Sequence, residues 1–223
     1  MKRLALIAFL LVVPPAAAAP VQTMIVGRTR VLLPARSLSV GAATVSAGGH
    51  RCGVPAASGL AVLAAARRAG GPAFNVRQQG GCQGLYVFQV GPDRARGRGG
   101  WVYKVGHVAP STGAAERTPS IVGGADVLWF WCRLGAGSCQ RTLEITAGRV
   151  AKAARAQRVT VRGDDDNGHG RPVPGAVVRL GPASARTGTN GVAVIRAPRR
   201  GSYQLTATRA GMVPAFPLGV IVR

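Results

Sequence analysis

The sequence predicts a mainly-β protein with an α+β first domain, a sheet carrying one short helix, followed by a small β-sandwich. Three observations predict it. Tyr86–Val90, Trp101–Val105 and Val127–Cys132 are rich in aromatic and β-branched residues and bounded by Gly, Pro or Asp, as strands are. One stretch, following Ser58, carries a helical pattern. From Val159 onward, short strand-like runs alternate with turns about every 8 to 12 residues, the spacing of a small sandwich.

In chain order, Lys2 and Arg3, the apolar run from Leu4 to Val13 and the small residues Ala16 to Ala18 have the layout of a secretory signal peptide. Cleavage is expected after Ala18, because Pro20 disfavours a cut immediately before it. The apolar run is shorter than the roughly 20 residues a bilayer-spanning helix needs. The mature chain is therefore expected to be secreted or associated with the cell envelope, with no transmembrane segment. The predicted division is 1–18 signal peptide, 19–147 first domain, 148–158 an Ala- and Arg-rich connector, and 159–223 the sandwich.

The first strands are expected at Val21–Val26 and Arg30–Pro34, with Gly27 as the turn, and a Gly-, Ala- and Ser-rich loop then leads to Cys52. Ser58 as N-cap, Leu60, Val62, Leu63 and Ala66 as an apolar stripe, Arg67 and Arg68 in the last turn and Gly70 beyond it define the helix. Strand alternation sets Trp101, Tyr103 and Val105 on one face and Val102 with Lys104 on the other. Both faces of Val127–Cys132 are apolar, so that strand is expected to be central or covered on both sides. In the C-terminal part, Asn190-Gly191 signals a hairpin or tight turn.

The chain has 29 Lys and Arg against 7 Asp and Glu, a formal charge of +22. No block of five like charges occurs, and the two halves share the excess evenly. A solvated basic surface explains this better than nucleic-acid binding does, while electrostatic attraction to an anionic cell-envelope polymer stays open. Cys52, Cys82, Cys132 and Cys139 are expected to form disulfides in an exported chain. No C-x-x-C pair is present, and His50, His107 and His169 are scattered. Three pairings are open; Cys52 with Cys82 and Cys132 with Cys139 is preferred, because each brackets one local supersecondary unit.

The order of two opening strands, the helix "SGLAVLAAARRAG", the strand "GGWVYKVGH" and the closing "IVGGADVLWFWC" resembles the transcobalamin-like C-terminal domain family. The resemblance covers about half the chain. It implies a β-grasp, a mixed sheet embracing one helix. Where the family usually has Asn-Gly after the Lys-bearing strand, this chain has Gly106 and His107, and Ala125 is inserted between Gly124 and Asp126. The phrases "PVPGAVVRL", "TGTNGVAVIRA" and "GSYQLTATRAGM" resemble immunoglobulin-like or carboxypeptidase-regulatory-like modules.

For function, Trp101, Tyr103, Trp129 and Trp131, with Lys104 and an Arg94, Arg96 and Arg98 rim, are the candidate small-ligand residues, although their period-2 spacing equally describes a core. The resemblance implies that a cobalamin-type ligand is one such candidate, with no cofactor otherwise expected. Asp164, Asp166 and Asn167 in "GDDDNGHG" offer oxygens for calcium. The run lacks the bidentate Glu of an EF-hand loop, and an Asx turn explains its composition with no metal. No phosphate-binding glycine motif or H-E-x-x-H occurs, so no catalytic residue is nominated. The expected role is non-catalytic: adhesion, scaffolding or ligand presentation near a bacterial cell surface, with a surface protein or polymer as partner.

Overall fold

Alternating burial organises both halves of the chain. The computed structural model describes residues 20–82, 84–135 and 137–223, and the expected signal peptide lies outside them. The described chain is mainly β with one short helix. Its first elements are β1 (Val21–Val26), β2 (Val31–Leu38), β3 (Ala43–Ala47), β4 (His50–Val54), α1 (Gly59–Arg68), β5 (Phe74–Arg77), β6 (Tyr86–Val90), β7 (Asp93–Arg94), β8 (Gly99–Val105) and β9 (Asp126–Arg133). They are followed by β10 (Thr142–Ala147), β11 (Val150–Ala151), β12 (Ala156–Asp164), β13 (Gly170–Pro172), β14 (Val177–Leu180), β15 (Ala183–Arg186), β16 (Val192–Arg196), β17 (Gly201–Thr208) and β18 (Leu218–Val222).

The first module is built on a mixed sheet of order β2-β1-β9-β8, in which β1 and β9 run parallel and the other neighbours antiparallel. Its single helix is positioned by local chemistry. Ser58 Oγ accepts from Ala61 N–H at 3.2 Å and donates to Pro55 O at 2.7 Å, capping the start. Gly70, at φ +83°, takes the left-handed turn just past the end. Trp129 Nε1 donates to Gly59 O at 3.2 Å, which ties the helix start to the sheet. A Cβ at Gly59 would stand 3.0 Å from the rings of Tyr103 and Trp129, so a larger residue would make the helix or the rings give by a few tenths of an ångström.

β9 is central, and its two apolar faces have two different neighbours. Val127, Trp129 and Trp131 join the core under α1, whereas Leu128, Phe130 and Cys132 join Met24, Val26 and Val213 on the reverse side. The second module supplies that cover. Its sandwich consists of β10-β12-β13 with β16 also paired to β12, facing the sheet β11-β18-β17-β14-β15. Val159, Val161, Leu180, Ile195, Leu205 and Val220 fill the space between.

Several boundaries differ from the sequence reading. Residues 142–147 pair along their length with β12, so β10 belongs by hydrogen bonding to the C-terminal sheets. The expected connector 148–158 carries β11, paired with β18, and the start of β12. β2 continues through Pro34 to Leu38, because the strand lies at the sheet edge, where a missing N–H costs no ladder bond. The expected loop before Cys52 is a β3–β4 hairpin around Gly48-Gly49. Asn190-Gly191 makes a tight turn, but one that passes from β15 in one sheet to β16 in the other. Gly191 is obligatory there: its φ is +72°, and a Cβ would meet Val161 O at 2.7 Å.

Candidate functional site at the module junction

The four large rings expected as either platform or core are core. Trp101, Tyr103, Trp129 and Trp131 are all buried, in the core cluster that also takes in the apolar residues of α1. Tyr103 stacks on Trp129 with centroids 4.9 Å apart, and Trp101 meets Trp131 edge-on at 5.9 Å. Their polar handles are used internally. Trp101 Nε1 donates to Asp93 O at 2.8 Å, and the Tyr103 hydroxyl bonds Thr118 Oγ1 at 2.8 Å. These rings act as packing: Tyr103 and Trp129 stack on each other beside the helix start at Gly59, and Trp101 and Trp131 meet edge to face.

Lys104 points the other way, as strand alternation requires, and its side chain is only 1 % exposed. Its ammonium donates to Asp165 O at 2.6 Å, Asp164 O at 3.2 Å and Thr142 Oγ1 at 3.3 Å, and lies 3.5 Å from Asp166 Oδ1. Burial pulls its pKa below the ordinary lysine value, opposed chiefly by Asp166. Lys104 is therefore a clamp between the first module and the loop after β12, and no rim of a ligand site.

The oxygens of the calcium candidates Asp164, Asp166 and Asn167 are divided: Asp166 Oδ1 and the carbonyls of Asp164 and Asp165 face the Lys104 ammonium, whereas Asp164 Oδ2 faces His107. Asp165 Oδ1 accepts from His169 N–H at 2.9 Å and Asn167 N–H at 3.1 Å, an Asx-type turn that holds its carboxyl below the usual range. Asp166 Oδ2 accepts from Cys139 N–H at 3.2 Å, and Asp166 O from Ala109 N–H at 2.8 Å. Both expected disulfides, Cys52–Cys82 and Cys132–Cys139, are present, and the second shapes the turn that meets this loop.

Beside the clamp, a cleft of about 740 Å³ opens between the modules. Its wall includes His107, just past β8, Asp126 at the start of β9 and Glu144 on β10. His107 Nδ1 lies 3.1 Å from Asp164 Oδ2, and Nε2 lies 3.5 Å from Glu144 Oε1. One donor atom from each of His107, Glu144 and Asp164 can be chosen so that all lie within 4.8 Å of one another. Burial raises the Asp164 carboxyl, with His107 and Lys104 opposing and Glu144 adding to the rise. Burial likewise raises Asp126, against His107 and Arg149. Sequence reasoning nominated neither Glu144 nor His107. The one signal was His107 standing where the resembled family has a turn residue.

On the far side of the first module, Arg28, Arg96, Arg98 and Arg133 line an open depression of about 560 Å³ at the edge of Trp131. Arg28 lies over the Trp131 ring, 5.4 Å from its centroid, and Arg133 Nη2 donates to Arg28 O at 2.9 Å. Two of the expected rim arginines thus meet here, while Arg94 instead lies over Phe88. No family model matches this chain, and no curated protein matches it.

Proposed function

We propose that the chain is an exported, non-catalytic docking protein whose two modules act as one unit and grip an anionic cell-envelope polymer through an arginine-rich outer face. The observation that carries this reading is how the fold sorts charge. Of the seven acidic residues, five (Asp126, Glu144, Asp164, Asp165 and Asp166) gather at the junction, leaving only Asp93 and Glu116 elsewhere. The outer surface is left strongly cationic. Asp93, the one carboxylate near the arginine depression, is engaged by Arg28 N–H at 2.9 Å. Guanidinium groups on an open surface suit bidentate contacts to phosphate or carboxylate.

Export is supported by the signal-peptide layout and by the two disulfides. Among the described residues, no helix is long and apolar enough to cross a membrane. Kinship with transcobalamin-like C-terminal domains and with immunoglobulin-like modules belongs to this proposal as a relation of architecture. A small-ligand role is favoured by one observation, the size of the junction cleft, which falls in the range of roughly 300 to 1,000 Å³ common for ligand sites. A corrinoid or other small ligand would then lie between the modules and away from the grasp-face rings.

The test is retention of the mature chain on immobilised long-chain polyphosphate. Binding is expected to fall steeply with salt, and Arg96→Ala combined with Arg98→Ala and Arg133→Ala is expected to flatten the log–log salt slope by about 2 to 3. A salt-independent interaction, or an unchanged slope in the triple variant, overturns the proposal.

A further inference from the structure

We propose that His107, Glu144 and Asp164 form a binding site for a divalent transition-metal ion that staples the two modules together across the junction cleft. His107 follows β8 of the first module, Glu144 stands on β10, and Asp164 ends β12. The three donors thus come from both sides of the joint, and they are independent of the arginine face.

The observation that points to a ligand is Asp164 Oδ2. The side chain is only 3 % exposed, yet this oxygen has no hydrogen-bond partner. His107 Nδ1 stands 3.1 Å away without making a hydrogen bond to it. The remainder of the loop behaves differently: the carbonyls of Asp164 and Asp165 and the carboxylates of Asp165 and Asp166 all have donors. Against this buried carboxylate oxygen stands only the imidazole, at ion-pair distance and out of hydrogen-bond alignment, and a cation lodged between the two satisfies both.

The donor spacing suits such an ion. Donors bound tetrahedrally at about 2.0 to 2.2 Å stand roughly 3.3 to 3.6 Å apart. The three candidate atoms lie within 4.8 Å of one another, and Glu144, whose side chain is one-third exposed, is free to close the difference by rotation. One imidazole nitrogen with two carboxylates is a borderline set suited to zinc, cobalt or manganese, and too poor in oxygen for calcium, which takes six to eight. Remaining coordination positions open into the cleft, where Asp126 adds negative charge from the same wall. The Lys104 ammonium nearby has its own counter-ion, Asp166, at 3.5 Å.

The decisive experiment is calorimetric titration of the untagged, chelator-stripped mature chain with zinc chloride near neutral pH, with a thermal melt run on the same samples. One equivalent is expected to bind and to raise the melting temperature. Glu144→Gln and His107→Ala, both at partly exposed side chains, are each expected to weaken binding by at least about tenfold while keeping a cooperative melt. Cobalt should give visible d–d absorption that either variant abolishes. If His107 and Asp164 form only an ion pair, about 0.1 mM zinc, well above a micromolar dissociation constant, leaves the melt unmoved, and the proposal fails. It fails equally if zinc binds both variants as tightly as the parent chain.

Discussion

Lys104 sits where a side chain can do most harm if its surroundings are changed. Removing an ammonium from water costs several kcal/mol, and here two carbonyls, a hydroxyl and a carboxylate offset that cost. Lys104→Met keeps the length of the side chain but strips the donors from Asp164 O, Asp165 O and Thr142 Oγ1. It is expected to lower the free energy of unfolding by about 3 kcal/mol. Urea titration checks this, and a loss below about 1 kcal/mol, the size of an exposed ion pair, would show the clamp to be idle. Strand alternation alone placed Lys104 opposite Trp101 and Tyr103. Its partners were illegible, because they lie about 40 and 60 residues further along the chain and half of them are backbone carbonyls, which carry no side-chain signature.

Single elements show where pattern reading succeeds and where it stops. β6, β8 and β9 announce themselves through aromatic and β-branched residues, and α1 through its Ser58 cap and trailing glycine. The β3–β4 hairpin escapes, because Ala, Ser, Thr and Gly dominate it. Its signal was present in the buried alternation of Val45, Ala47, Cys52 and Val54 about Gly48-Gly49, both at positive φ. The Cys52–Cys82 bridge fastens this small-residue hairpin to the turn before β6 across a separation of 30 residues. Replacing both cysteines by Ala is expected to cost about 3 to 4 kcal/mol, against about 2 to 3 for the Cys132–Cys139 pair with its shorter loop. Denaturation midpoints of the two double variants test the order, and the reverse ranking would place the greater constraint at the junction turn.

At the scale of the whole molecule, the fold draws carboxylates inward and leaves guanidinium groups outside, an arrangement invisible in a sequence whose two halves carry similar charge. The consequence for stability against pH has a definite sign. Asp126 and Asp164 have native pKa values raised above the ordinary 3.8, so the native chain takes up their protons first. Their effect is therefore to weaken the fold as pH rises from 3.8 through those native values, with the full penalty present at neutral pH. Asp165, depressed by the His169 and Asn167 amides, acts oppositely: its stabilisation is present above 3.8 and is lost as pH falls through its native value. In chelator-treated protein, Asp126→Asn is expected to melt higher than the parent at pH 7, with the difference closing as acid neutralises the parent carboxyl. A difference constant across that range would contradict the burial of Asp126 as its cause.

The strand order also dictates a schedule. Every strand of the sheet under α1 is complete by residue 133, whereas β11 has no partner until β18, at residues 218–222, slots in between it and β17. A polypeptide emerging amino end first during synthesis can thus finish its early half while the later half still waits for its final strand. The finished half then offers Leu128 and Phe130 as a seat for Val213, and the expected order of assembly is the second module condensing on the first.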